Sequence, residues 1–333
     1  MRHITIGTRA SKLAMAQTYQ VIERLQRKWP NLQVSIEQIR TVGDMVTDVP
    51  LSQIGGEGVF VTEIERALHE KRIDLAVHSL KDLPTVQPQG LCLQVVGPRE
   101  DVRDVFVLNE QVRDGVLRGE TPERQEELRI GTGSLRRTAQ LRAIYPNAHI
   151  LPIRGNVETR LRKLDAHEYD GIVLAAAGLS RLGVLDRLAD RVIYFPIEKM
   201  MPAPGQGALA VEMRDEAELR ELVLPLNDVH IQAATGAERM FMQQLGAGCY
   251  LPVAAYAKVV GEILTLWGLV ISLDGKRRVW VEQSIRWTAE IQRYCLAEAE
   301  QLGRKAAEQA LHQGAYEIIS ELAGGRWQEH EHV

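Results

Sequence analysis

The stretch Asp74-Leu-Ala-Val-His-Ser-Leu-Lys-Asp-Leu-Pro84 constrains the fold more than any other part of the chain. Leu75, Ala76 and Val77 form the short apolar run of a strand buried on both faces, as parallel sheets require. The run breaks into Ser79, Lys81 and Asp82, and Pro84 keeps a helix from starting at once. In an open α/β sheet, ligands sit beyond the carboxyl ends of the strands. Ser79, Lys81 and Asp82 are therefore expected to face a cleft, bringing together a hydroxyl, a cation and a carboxylate. By itself the stretch is equally consistent with a solvated turn carrying an incidental Lys/Asp pair.

The flanking sequence repeats the pattern. His3 to Gly7 reads as a strand. Ser11 is a good N-cap for a helix to about Lys28, with Ala14, Thr18, Val21 and Leu25 along one face. Val34 to Ile39 is a second strand. A polar, Gly-rich loop from Thr41 to Gly58 is long enough to be a functional flap. A helix near Thr62 to Glu70 follows, with Thr62 and Glu65 at capping-box spacing. Leu91 to Val96 is another strand. Alternating strands and helices predict a doubly wound α/β domain. Gly97 to Asp101 reads as a crossing into a second domain of the same kind. Its strands are expected at Val105 to Leu108, Arg129 to Gly131, His149 to Ile153 and Gly171 to Ala176. A surface helix is expected from Glu120 to Glu127. Arg191 to Phe195 and Ala208 to Met213 are expected to return the chain to the first sheet. Met201-Pro-Ala-Pro-Gly-Gln-Gly207 between them reads as a hinge. Beyond about Ala217, helices, strand-like runs and an Asp274-Gly275 hairpin turn point to a smaller α+β domain. The expected divisions are 1–98 with about 196–217, then 99–195, then 218–333.

Composition bounds the function. At 333 residues, two or three domains are expected. A formal charge of −4 argues against a nucleic-acid binder. The longest apolar run, around Ile263 to Leu273, is too short to span a bilayer. With no signal peptide before the first strand, a cytoplasmic location is expected. Cys92, Cys249 and Cys295 make no disulfide framework and no C-x-x-C spacing, so no metal site is expected. Cys249 differs from the other two because small residues surround it in Gly246-Ala-Gly-Cys-Tyr-Leu-Pro252, leaving the sulfur approachable.

Three strand-to-helix turns carry polar sets: Thr8-Arg9-Ala10-Ser11, Thr132-Gly133-Ser134-Leu135-Arg136-Arg137 and Arg154-Gly155-Asn156. Helix starts of this kind favour anions. Between Gly131 and Lys163 there are seven cations and one carboxylate, Glu158, in a chain that is negative overall. Arg forks bind carboxylate and phosphate bidentately, each such bond giving roughly 1.5–3 kcal/mol. No phosphate-loop motif occurs, so a ligand with several carboxylates is expected.

Five motifs make the assignment specific. Val77-His-Ser-Leu-Lys-Asp-Leu-Pro84, Gly131-Thr-Gly-Ser-Leu-Arg-Arg137, Ile153-Arg-Gly-Asn-Val-Glu-Thr-Arg160, Pro204-Gly-Gln-Gly-Ala208 and Gly248-Cys249 occur in the order seen in porphobilinogen deaminases, which the whole chain resembles. The resemblance implies two doubly wound, periplasmic-binding-protein-like domains plus a smaller α+β C-terminal domain. It implies a cytosolic monomer that joins four porphobilinogen molecules head to tail, releasing ammonia. It implies a dipyrromethane cofactor held by a thioether to Cys249, with Ser79, Lys81, Ser134, Arg136 and Arg137 around it. Arg9, Ser11, Arg154, Arg160, Arg181 and Phe60 match substrate-binding positions, and Asp82 matches the catalytic aspartate. No membrane or nucleic-acid partner is implied. The flap departs from the family pattern Gly-Gly-Lys-Gly-Leu-Phe-Val-Lys-Glu. Here Gly55 to Glu63 carries Glu57 and Thr62 in place of the two lysines and keeps Phe60. The competing reading is a non-catalytic carboxylate receptor of the same two-domain fold.

Overall fold

A computed structural model describes residues 3–41, 43, 61–117, 127–246, 251–287 and 295–322. Most of the expected flap, including Glu57 and Phe60, lies outside the described residues, as do Cys249 and most of the expected surface helix at 120–127.

Three sheets organise the chain. The first is built from β1 (His3–Thr8), β2 (Gln33–Gln38), β3 (Leu75–Ser79), β4 (Leu91–Val96) and a late strand, Leu209–Arg214. β1 pairs in parallel with β2 and β3, and the late strand inserts antiparallel between β3 and β4. The second sheet is built from β5 (Asp104–Leu108), β6 (Arg129–Gly131), β7 (His149–Leu151), β8 (Gly171–Ala175) and β9 (Val192–Tyr194). β6 lies parallel between β7 and β8, and β5 runs antiparallel between β8 and β9. Leu209–Arg214 is β10. Both sheets therefore share one plan: three parallel strands in the order second-first-third, then an antiparallel strand, then an edge. In each sheet the chain enters that antiparallel strand directly after a crossing. One expectation is corrected here. Val192–Tyr194 stays in the second sheet as its edge, and only β10 returns to the first.

Strand composition explains the burial. Leu75, Ala76 and Val77 are all buried, and they feed two different cores on opposite faces of the first sheet. Such two-sided burial is what a continuous apolar run specifies. On one side, α1 (Lys12–Lys28) contributes Val21 and Leu25. On the other, α2 (Thr62–His69) contributes Ile64, Ala67 and Leu68. The expected capping box does not form: Val61 is the N-cap and no side chain caps α2. The second sheet carries α3 (Glu110–Leu117), α4 (Leu135–Ile144), α5 (Val157–Asp165) and the short α6 (Ala176–Arg181).

A short α7 (Ala217–Val223) follows β10. The third sheet is an antiparallel meander of β11 (Val253–Val260), β12 (Ile263–Ile271) and β13 (Arg278–Arg286). Its core is shared with α8 (Val229–Gln244) and α9 (Cys295–Ala310), and centres on Phe241, Leu266 and Trp287. The β12–β13 turn contains Asp274-Gly275, as expected, and Gly275 has φ +76°. This turn lies against α4: a Cβ on Gly275 would sit 2.7 Å from the Ala143 backbone nitrogen. Arg142 donates from Nη1 to the Leu273 carbonyl at 2.8 Å. Ala139 of α4 also packs with Leu269 and Ile271 of β12.

Candidate active site

The parallel strands of both sheets end in the polar turns singled out above. Ser11 caps α1, accepting from the Ala14 N–H at 3.2 Å. Ser134 caps α4 by accepting from the Arg137 N–H at 3.4 Å, and Asn156 caps α5 by accepting from the Thr159 N–H at 2.9 Å. Each side chain satisfies one of the N–H groups that a helix start leaves open. Lys12, at the start of α1, pairs with Glu158, near the start of α5, at 2.5 Å. The helix starts of the two sheets therefore face each other.

β3 ends at Ser79, whose hydroxyl accepts from Gln17 Nε2 at 2.8 Å. A single tight turn, Leu80–Asp82, follows and anchors Leu80 and Leu83 in the core. Asp82 is thereby turned outward and exposed, while Lys81 is half-buried. Lys81 donates to Gln206 Oε1 at 3.1 Å. The Gln206 amide in turn donates to the Val102 carbonyl at 2.7 Å and to Asp104 Oδ1 at 2.9 Å. Asp104 begins β5 and is fully buried.

Two guanidiniums close on that carboxylate. Arg137 Nη2 donates to Asp104 Oδ1 at 2.7 Å, and Arg137 Nη1 to the Val173 carbonyl at 3.0 Å. Arg136 Nη2 lies 2.8 Å from Asp104 Oδ2, an ion pair without good hydrogen-bond alignment, while its Nη1 donates to the Met201 carbonyl at 2.6 Å. Burial alone would raise the Asp104 pKa, but the two arginines outweigh it and hold the carboxyl well below the usual range. Burial lowers Arg136, reinforced by Arg137 and opposed by Asp104.

Both arginines keep a buried Nε–H with no hydrogen-bond partner among the described residues. A buried donor left unpaired costs about 1–3 kcal/mol. Two such donors on adjacent residues of α4 fit a carboxylate-bearing ligand. Arg160 adds a third guanidinium, donating from Nε to the Gly155 carbonyl at 2.8 Å. Its pKa falls to about 10, first through burial, then through Arg137 and Arg154, with Asp82 opposing. Asp82 and Arg160 thus feel each other's charge across the two sheets. Lys81, Arg136, Arg137, Arg154 and Arg160 are five cations against two carboxylates, Asp82 and Asp104. A surplus of three positive charges remains for an anionic ligand to neutralise.

The structure therefore brings together Ser79, Lys81, Asp82, Ser134, Arg136, Arg137, Arg154 and Arg160. Arg9 and Ser11 stand between the end of β1 and the start of α1. Arg181 stands apart, at the strand crossing, where its Nη2 donates to the Gly207 carbonyl at 2.6 Å. Burial lowers its pKa to about 10. Phe60 and Cys249 lie outside the described residues. Among the described residues, no group of three or more His, Cys, Asp or Glu side chains could hold a metal ion.

Sequence reasoning passed over Asp104 and Gln206. The available signals were an acid opening an otherwise apolar strand, Asp104-Val-Phe-Val-Leu108, and an amide between two glycines.

Two family models match the chain. "Porphobilinogen deaminase, dipyromethane cofactor binding domain" matches residues 4–221, and "Porphobilinogen deaminase, C-terminal domain" matches residues 233–312. Curated relatives carry the same name over nearly the whole length. The one from Geotalea uraniireducens (strain Rf4) is 42% identical over 97% of this chain and 95% of its own. That from Macrococcus caseolyticus (strain JCSC5402) is 43% identical over 94% and 99%, and that from Syntrophotalea carbinolica 44% over 96% of each. Among solved structures, the LysR family regulator CbnR aligns with 68% of this chain and 70% of its own at 9% identity. Its TM-score is 0.42, too low to support an argument.

Proposed function

This chain belongs to the porphobilinogen deaminase family, and from that premise we propose how its own residues carry the family's reaction. It is a transferase that joins four porphobilinogen molecules head to tail into hydroxymethylbilane and releases ammonia. The non-catalytic receptor is not favoured, since the full-length relatives are deaminases.

The observation that carries the residue assignment is the pair of unpartnered, buried Nε–H groups on Arg136 and Arg137, with the exposed Asp82 close enough to act on the charge of Arg160, carried by the same sheet as the two arginines. Porphobilinogen bears an acetate and a propionate, so each ring added brings two carboxylates. In our reading, Arg136, Arg137, Lys81, Ser79 and Ser134 hold the dipyrromethane carboxylates, with Cys249 as the attachment point. When bound, dipyrromethane supplies the terminal pyrrole that the first substrate joins. Arg9, Ser11, Arg154 and Arg160 hold and orient incoming substrate. Phe60 and Arg181 are assigned to substrate by the family motif alone.

Asp82 is the catalytic residue in this reading. Loss of ammonia from porphobilinogen leaves a cationic azafulvene, and attack on it passes through a second cation. A carboxylate about 4 Å from such a cation contributes roughly 4 kcal/mol at an effective dielectric near 20. Asp82 suits that task because it is exposed at the loop tip while Lys81, beside it, is tied to Gln206. Buried arginines neutralise the carboxylates and leave the Asp82 charge for the reacting ring.

Intact mass of the purified, denatured protein tests the attachment. An excess equal to two linked pyrroles is expected in the native protein and in Cys92→Ser and Cys295→Ser, but not in Cys249→Ser. Cofactor retained in Cys249→Ser overturns the assignment. The domain divisions 1–98 with 196–217, 99–195 and 218–333 belong to the same reading, supported by the three sheets. Among the described residues no helix is long and apolar enough to cross a membrane. A cytoplasmic monomer acting without membrane or nucleic acid is part of this reading, and light scattering tests the monomer against the chain mass of 37.3 kDa.

A further inference from the structure

The turn Gly205-Gln206-Gly207 joins the second crossing to β10, and its geometry leaves little choice of residue. Gly205 has φ +75° and Gly207 φ +86°, values that side chains beyond glycine rarely adopt. A Cβ on Gly205 would sit 2.9 Å from Leu80 Cγ, and one on Gly207 would strike the Glu100 carbonyl. The turn is also fixed from outside. The Gly205 N–H donates to Glu238 Oε2 at 2.7 Å, and the Gln206 carbonyl accepts from Arg99 Nε at 2.9 Å. The Gly207 carbonyl accepts from the Glu100 N–H at 3.1 Å. The one side chain this turn carries is aimed inward and is fully buried.

That side chain has a single chemically allowed orientation. Its oxygen faces the Lys81 ammonium, which can only donate. Its nitrogen faces the Val102 carbonyl and the Asp104 carboxylate, which can only accept. A flipped amide would set donor against donor and acceptor against acceptor. Gln206 therefore reads the charge on both sides. It connects the loop that bears Asp82, in the first sheet, to the carboxylate that clamps Arg136 and Arg137, in the second.

We propose that Gln206 is a positioning residue for the reaction: its amide holds Lys81 charged and aimed into the cleft while keeping Asp104 turned onto the arginine pair. Lys81 needs such a partner. Its pKa falls to about 8, first through burial and further through Arg137 and Arg136, with Asp82 and Asp104 opposing. Asp82 lies on its own turn, Asp104 on β5, and Arg136 and Arg137 on α4. Removing the amide oxygen takes away the one hydrogen-bond acceptor that the Lys81 ammonium has among the described residues, while the Arg136 and Arg137 charges still act against it. The proposal rests on the reading of Lys81 as a cation that binds carboxylate.

The test titrates Lys81 without using turnover. Holoenzyme is treated with a trace of acetic anhydride across pH 6–11, and acylation of the Lys81 peptide is read by mass spectrometry. Gln206→Met keeps the length of the side chain but removes both hydrogen-bonding groups. Its Lys81 midpoint is expected to fall by about one pH unit, roughly the effect of one lost hydrogen bond. Gln206→Glu keeps the acceptor and adds a charge, so its midpoint is expected to rise by about as much. Opposite shifts support the proposal. Equal midpoints in all three proteins, or shifts in the same direction, overturn it and leave Gln206 as packing. If Gln206→Met does not fold, the rise in Gln206→Glu decides alone. Because acylation reports protonation, it fails independently of the mass measurement that tests cofactor attachment.

Discussion

Asp104 and Asp82 show how two carboxylates in one site divide their work by burial. Asp104 is buried between two guanidiniums, and its removal leaves them facing each other. Removing one partner of a buried ion pair typically costs about 3–5 kcal/mol, so Asp104→Asn is expected to lower the urea midpoint markedly at pH 7. The sign with pH follows from its lowered pKa. The folded protein ionises Asp104 more readily than the unfolded chain. The stabilisation is complete above the ordinary carboxylate pKa of about 4 and is lost as pH falls through the folded value. The gap between wild type and Asp104→Asn is therefore expected to narrow below about pH 4, and a gap independent of pH would contradict this role. Asp82 is exposed and outside the core, so Asp82→Asn is expected to fold with an unchanged thermal midpoint. Single-turnover ammonia release from the holo variant is expected to fall about 10²–10³-fold, the usual cost of one lost electrostatic stabiliser. Near-wild-type release would remove Asp82 from the mechanism. Asp82 was legible in the sequence because it stands beside a strand terminus. Asp104 was not, because its partners lie 32 and 33 positions away and in a different element.

At the scale of elements, the helix starts carry both stability and site geometry. Asn156→Ala removes the cap of α5 and is expected to cost about 1 kcal/mol, read by chemical denaturation. Loss of that cap also frees the turn that holds Arg154 and Arg160, so substrate KM is expected to rise more than kcat falls. Gly275→Ala makes a different demand. Its φ of +76° and its contact with the α4 backbone forbid a side chain without a shift of α4. The variant is expected to lose stability, and because α4 carries Arg136 and Arg137, to retain less covalent cofactor by intact mass. Full retention would show that α4 does not depend on the third sheet. Ser11 was recognisable as a cap because a short polar residue before an amphipathic run suffices to specify one; Ser134 and Asn156, read only as members of polar turns, cap their helices in the same way. The capping box at Thr62 and Glu65 was misread for the same local reason: the spacing fits, yet the chain enters α2 at Val61, whose side chain is buried.

Across the whole molecule, one buried pair joins the third sheet to the strand crossing. Arg99 donates from Nη1 and Nη2 to the Glu238 carboxylate at 2.8 and 2.9 Å. Glu238 also accepts from the Gly205 and Ala257 N–H groups, both at 2.7 Å. Glu238→Leu and Arg99→Met are each expected to cost about 3–5 kcal/mol, and the double variant less than their sum, since the second change removes an already stranded charge. Additive losses in a denaturation cycle would mean the two groups act separately. The sequence by itself determined the strand–helix alternation, the two doubly wound sheets, the polar strand ends and the family, because apolar periodicity, caps and ordered motifs are local properties of the chain. Only the tertiary structure decided which crossing strand enters which sheet, and that Arg136 and Arg137 share Asp104 while Gln206 joins that carboxylate to Lys81. It likewise placed Arg181 at the crossing and turned the third sheet's hairpin onto α4. Those outcomes depend on charges and backbones far apart in the chain, and it is burial, which makes an unpartnered charge costly, that selects one arrangement among the many the local sequence permits.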